Sequence, residues 1–408
     1  MFKSANIKLI VDYSLVSGLI AVSAFPYFCT AQINFFFLFL FAFFIYIKRS
    51  IRFDERMLLI VGAFVVVEVL QFLIVKPFDP KMISGTFIRM FLSFFIVCIT
   101  GKKFTEYFTD ILYVISIIGF VFFIPSIIFP SFFNFCVSNI CTFFDPPFVE
   151  SGGFYETWPT IIIYCFHDCI LEEFRNPGAF WEPGLYSVFI NLALIFNLIK
   201  EKKIMGKKNI VLILALISTF STAGYIAFFL LVFSFYIINQ SFIRKIILSA
   251  IIIPTALSLY FSLDFLSRKV EENIDLAGTT TSSRFGSALA DYTDFLGSPY
   301  IGWGRGVMRY GGKSFAFFSE DQHRNNSVTD LLATYGIFIF LLYFYCYYSS
   351  LKKICINYKF KTQFAILALM VILTLGFSQS IFLKPFFYSM LFLQYTYDTK
   401  SYKNITEL

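Results

Sequence analysis

Long apolar runs recur along this chain, separated by short polar connections, and each is close to the roughly 20 residues that a helix needs to cross a hydrocarbon core about 30 Å thick. They predict helices over residues 9–25, 33–47, 57–75, 82–100, 111–129, 184–199, 209–220, 223–238, 246–263, 328–348, 363–382 and 385–397. A membrane β-barrel would instead show short segments of alternating polarity. The run 209–238 is too long for one span and is interrupted by Ser221-Thr222-Ala223-Gly224, so it reads as a tight helical hairpin. Val22-Ser23-Ala24 has the form of a signal-peptidase site, but Asp12 and Tyr13 interrupt the preceding apolar stretch, and 9–25 is read as the first span.

The expected fold is all-α: a polytopic membrane helix bundle of about twelve transmembrane helices, forming a single integral membrane domain over residues 1–408. Two connections, 130–183 and 264–327, are too long to be turns, and long loops in a compact protein usually carry function. Composition sharpens the class. With 58% hydrophobic and 14% charged residues and a mean hydropathy of +0.74, the chain lies far from the soluble balance. Basic residues cluster in alternate short connections, among them Lys48, Arg49, Arg52 and Arg56, then Lys200, Lys202, Lys203, Lys207 and Lys208, then Lys352, Lys353, Lys359 and Lys361. By the positive-inside rule these are cytoplasmic, both termini are cytoplasmic, and the two long loops face the other side.

Cys136, Cys141, Cys165 and Cys169 fall in the first long loop. Two disulfides, unpaired thiols, or a metal site helped by His167 all fit, although the spacing is not that of a zinc ribbon. Asp12, Glu68 and Arg89 are the main charges inside spans, and a pairing of Arg89 with Glu68 is one way to satisfy two of them.

The candidate chemistry lies in the loops. In Arg175-Asn176-Pro177-Gly178-Ala179-Phe180-Trp181-Glu182-Pro183 a turn leads into a helix start. Pro183 suits the first helical turn, and Glu182 is favoured there by the helix dipole, where it either orients Arg175 or pairs with it as a plain staple. In the second loop, Ser327-Val328-Thr329-Asp330 predicts a capping box opening the next span directly after His323-Arg324-Asn325-Asn326. Over 282–300, Phe285, Ala288, Leu289, Tyr292 and Phe295 recur at helical spacing, with Arg284, Ser287, Asp291 and Asp294 opposite. That pattern predicts a helix lying apolar face down on the membrane or on the bundle, or else showing a charged face to solvent. Gly302-Trp303-Gly304-Arg305-Gly306 then forms a turn that lets backbone approach a ligand closely.

These clusters resemble the O-antigen polymerase (Wzy) family: Arg175/Gly178/Phe180/Glu182/Pro183 before a span, Arg284 followed by Gly302/Gly304/Gly306, and His323/Asn326/Ser327 ahead of Tyr335/Gly336. The tight hairpin departs from the related ligases and many polymerases, which carry a Ser-Arg pair where this chain has Ser221-Thr222-Ala223-Gly224, so no arginine role transfers there. The resemblance implies a metal-independent glycosyltransferase of the bacterial inner membrane, without cofactor. It would move a growing glycan from undecaprenyl pyrophosphate to the non-reducing end of another lipid-linked repeat unit at the periplasmic face. It implies Arg175, Arg284 and His323 as catalytic residues in one outer pocket, and Glu182, Arg305, Arg324, Asn326, Gly304 and Gly306 as substrate-binding. Its implied partners are the undecaprenyl-pyrophosphate-linked oligosaccharide, membrane lipid and a chain-length regulator protein, with no nucleic acid. An O-antigen ligase, with lipid A–core as acceptor, and a lipid-linked oligosaccharide flippase are the alternatives.

Overall fold

The computed structural model describes residues 2–30, 32–74, 80–144, 148–151, 154–166, 175–238, 240, 244, 284–305 and 325–397. Its helices, in chain order, are α1 (Phe2–Ala24), α2 (Pro26–Cys29), α3 (Gln32–Lys48), α4 (Arg56–Ile74), α5 (Pro80–Thr100), α6 (Phe104–Ile128), α7 (Pro130–Phe135), α8 (Pro183–Glu201), α9 (Lys207–Ser218), α10 (Thr222–Ile237), α11 (Arg284–Gly297), α12 (Ser327–Asn357), α13 (Phe364–Ser378) and α14 (Pro385–Thr396). The strands among the described residues are two short antiparallel hairpins, β1 (Phe148–Ser151) with β2 (Phe154–Thr157), and β3 (Thr160–Ile161) with β4 (Tyr164–Cys165). Each predicted segment falls on one of these helices except 246–263, which lies outside the described residues. Among the described residues five stretches are long and apolar enough to cross a membrane: Asn6–Ala24, Arg56–Ile74, Pro80–Ile128, Pro183–Glu201 and Ser327–Asn357. Shorter apolar helices occur at Ile33–Lys48, Thr222–Ile237 and Phe364–Ser378.

The chain divides into two compact units, each assembled from separate stretches. The first comprises Met1–Phe53, Ile88–Tyr225 and Lys384–Leu408. Helix α8 is its centre, buried at every position from Leu185 to Ile199. Its polar residues survive there because each finds a partner: Asn197 Nδ2 donates to Asn209 Oδ1 at 2.8 Å, and Asn191 Nδ2 donates to the carbonyls of Ser187 and Gly224. Around α8 runs an aromatic seam, with ring centroids 4.6 Å apart for Phe108–Phe386 and 5.1 Å for Phe189–Phe386. Ion pairs gather the basic segments at one end of this unit. Arg49 meets Asp12 at 2.6 Å, Lys200 meets Glu106 at 2.8 Å, and Lys208 meets Asp110.

The second unit comprises Asp54–Phe87 and Ile226–Leu383. Within it α12 is not one straight helix. Gly336 has φ 73° and ψ −179°, outside any helical conformation, and breaks the run. Its start is tied to α13 by Ser327, whose Oγ donates to the carbonyls of Gly376 (2.8 Å) and Gln379 (2.7 Å).

Candidate functional site

In the first unit the Arg175–Pro183 segment is not perched on a helix mouth but sunk into the helices. Helix α9 rises only about 18 Å over its 12 residues, well short of a membrane crossing. The loop segment comes down to meet its end: Asn176 N–H donates to Ser218 O at 2.9 Å, and Asn176 Nδ2 to Ser218 Oγ at 2.9 Å. Asn176 Oδ1 accepts from Gly178 N–H, closing an Asx turn that places Gly178 at φ 56°. On the other side Asn176 sits against Gly119 of α6, where a Cβ would stand 3.5 Å from its amide. The stretch of α6 from Gly119 to Ile128 rises about 14 Å, which measures how deeply the segment is recessed.

Arg175 is held at that depth. Its Nε donates to Thr219 O at 3.0 Å, and neither terminal nitrogen has an acceptor among the described residues. The hairpin that lacks an arginine of its own thus receives one from the loop. Polar groups line the same hairpin: Ser187 Oγ donates to Ser221 Oγ at 3.0 Å, and Asn191 Oδ1 and Thr222 Oγ1 are buried with no hydrogen-bond partner among the described residues. The expected Arg175–Glu182 pair does not form. Glu182 is the N-cap of α8 in extended conformation (φ −147°, ψ 152°) with Pro183 next, and the cation it acts on is Lys384. Lys384 Nζ lies 3.6 Å from the centroid of Trp181, and Trp181 stacks on Trp158 at 6.1 Å and 13°. Burial pushes the Lys384 ammonium down to about 8, opposed by Cys29 and Glu182. The first loop is roofed by an apolar cluster of Phe123, Cys136, Cys141, Ile161, Tyr164 and Phe166. Cys136 and Cys141 are thiols there, so no disulfide joins these two, while Cys169 and His167 lie outside the described residues. Burial raises the Cys141 thiol to about 12, which leaves it inert as a nucleophile or ligand.

In the second unit three expectations change. The cap of α12 is Asn326, not Ser327: Asn326 Oδ1 accepts from Val328 N–H (3.0 Å) and Thr329 N–H (3.3 Å). Asn326 is fully buried, and its Nδ2 has no acceptor among the described residues. Helix α11 forms as predicted but faces the other way from a helix seated on the bundle. Asp291 and Asp294 are 0% and 3% exposed, whereas Phe285, Leu289, Tyr292 and Leu296 are 44–59% exposed. Its polar side grips the start of α12, through Thr329 Oγ1 to Asp291 Oδ2 (2.8 Å), Asn325 N–H to Ser287 Oγ (3.0 Å) and Arg284 Nη1 to Asn325 O (2.9 Å). Neither the bundle-facing nor the solvent-face alternative holds; the apolar stripe is left outward, as a lipid-contacting helix requires.

The glycine turn approaches backbone, but the backbone of its own chain. Trp303 and Gly304 N–H donate to the carbonyls of Ala333 and Thr334, and Ile337 N–H donates to Pro299 O, across the break in α12. A Cβ on Gly302 would stand 2.3 Å from Thr334 O, and one on Gly336 would stand 2.3 Å from Tyr300 O, so both crossings demand glycine. Gln71 of α4 clamps the joint, donating from Nε2 to Thr334 O at 2.7 Å and to Ile301 O. Arg305 donates to Thr86 Oγ1 at 3.1 Å and is the arginine that acts on the buried Glu68 side chain.

Of the expected site residues, Arg175 and Glu182 thus belong to the first unit, and Arg284, Gly304, Arg305 and Asn326 to the second. Gly306, His323 and Arg324 lie outside the described residues. The sequence reading gave Trp181 no role of its own within its cluster and missed Lys384 and Trp158; a lysine directly before the Pro385 that opens α14 was the available signal, since helix starts favour anions. Among the described residues no group of His, Cys, Asp and Glu is arranged to hold a metal. No protein-family model matches the chain, and no curated protein matches it either.

Proposed function

We propose that this protein is an O-antigen-polymerase-type glycosyltransferase of the bacterial inner membrane that uses a lipid-pyrophosphate donor. An acceptor hydroxyl attacks the anomeric carbon of the growing glycan, the bond from that carbon to the pyrophosphate oxygen breaks, and the lipid pyrophosphate leaves with the electron pair. The hydroxyl proton passes to His323 in this reading. Charge growing on the leaving group needs fixed cations in a dry setting, where they act most strongly.

The observation that supports this best is Arg175. A guanidinium anchored through Nε alone keeps both terminal nitrogens for a ligand, and that edge suits two phosphate oxygens at once. In this reading Arg284 and Asn326, near the start of α12, and Gly304 and Arg305, in the glycine turn, also bind substrate, and Arg324 and Gly306 are assigned with them from the sequence alone. A chain-length regulator is the protein partner this reading brings with it.

The test is deletion of the gene followed by electrophoresis of lipopolysaccharide. Loss of a polymerase leaves core bearing a single repeat unit. Bare core with accumulated lipid-linked polymer would mean a ligase, and absence of any outer-face product a flippase. Restoring the gene with Arg175→Ala, Arg284→Ala or His323→Ala is expected to leave long chains absent while the protein still inserts; normal ladders from all three would reject the assignment.

A further inference from the structure

The first unit carries a cluster that the reaction above does not use: two nearly parallel tryptophans and a lysine. Trp158 precedes β3, Trp181 stands six positions after Arg175, and their rings are 13° from parallel. Both are partly exposed. The Trp181 backbone N–H donates to Ala24 O at 3.3 Å, and Phe180 beside it packs edge-on against Phe25 at 5.2 Å. Lys384 Nζ sits 3.6 Å from the Trp181 centroid, and no carboxylate among the described residues comes within ion-pair distance of it. Arg89 adds a second positive charge in range, and among the described residues Cys29 and the Glu182 carboxylate act on the lysine in the opposite sense. A cation held on an indole face, next to a like charge and short of a counter-ion, is a costly arrangement for a plain staple.

We propose that Trp158, Trp181 and Lys384 form a glycosyl-phosphate subsite, with a sugar ring stacking its C–H face on the indole of Trp158 and Lys384 meeting a phosphate oxygen. The chemistry matches the parts. Indole faces are flat, rigid and electron-rich, so they favour the slightly positive C–H face of a pyranose, and the ammonium supplies the charge that a phosphate seeks. The inference rests on the proposed donor and adds where its first sugar lies: on Trp158, which stacks on the Trp181 of the segment that also carries Arg175.

Binding to the full-length protein in lipid nanodiscs tests it, with two probes. One is radiolabelled lipid-linked repeat unit extracted from the deletion strain; the other is farnesyl pyrophosphate, which has the diphosphate and no sugar. Trp158→Ala is expected to weaken the repeat unit about 10-fold, and Trp158→Phe, which keeps a stacking face, less than about threefold. Farnesyl pyrophosphate should bind both variants as it binds the wild type, and Lys384→Gln should weaken both probes. Wild-type affinity for the repeat unit in Trp158→Ala would overturn the subsite, as would equal loss of both probes, the mark of a structural staple. Those results alongside loss of long chains on gene deletion would remove the subsite and leave the polymerase reading standing. The expected binding pattern with unchanged ladders would do the reverse.

Discussion

Two cations in the first unit differ in how they are held. Arg175 is fixed by a carbonyl, whereas Lys384 rests on a ring, and burial draws its titration from 10.5 down to about 8. Between those two values the unfolded chain carries a proton that the folded chain has released. Folding stability therefore rises with pH across that window, because the unfolded state binds more protons there. Lys384→Met should flatten this dependence and raise the melting temperature at pH 7, as thermal unfolding in detergent at pH 7 and pH 10 will measure. An anion bound at Lys384 would favour its protonated form, so affinity should fall as pH passes 8.

Among the elements, the broken α12 makes the sharpest demand on sequence. Gly302 and Gly336 each combine positive φ with a backbone carbonyl where a Cβ would go. Gly302→Ala and Gly336→Ala should each cost at least about 3 kcal/mol, the scale of strain plus overpacking, read as loss of a monodisperse peak after detergent extraction. The apolar runs made the helices legible, because length and hydropathy alone specify a membrane helix. The periodicity of Phe285, Leu289 and Tyr292 likewise made α11 legible. Its orientation was not, since in a membrane protein the apolar stripe can face outward while Asp291 and Asp294 are satisfied inside. The capping pattern at 327–330 located the start of α12 to within one residue; Ser327 was hidden as a tie to α13 because its partners Gly376 and Gln379 are distant in sequence. Arg175 stood out by its type and setting, but its descent to Thr219 depended on α9 being short, which hydropathy does not reveal.

For the whole molecule, the ion pairs that collect Arg49, Lys200 and Lys208 at one end of the first unit agree with the charge bias that assigns these segments to the cytoplasm. Alkaline phosphatase, active only outside the cytoplasm, should be active when fused after Phe166 or Arg305 and inactive after Lys203 or Lys361. Activity after Lys203 would invert the topology.

The clamp between Gln71 and Thr334 joins residues 263 positions apart. At roughly 5–20 residues per second, synthesis delivers Thr334 on the order of tens of seconds after Gln71. Through that interval the Gln71 amide and the Glu68 carboxylate are already in the chain while the carbonyls and Arg305 that meet them are not. Lipid offers neither group a partner. Helix α4 is therefore a segment that the insertion machinery must shelter, or hold at its lateral opening, until the second half of the protein emerges, so truncation after α10 should yield a chain that is degraded rather than a stable half.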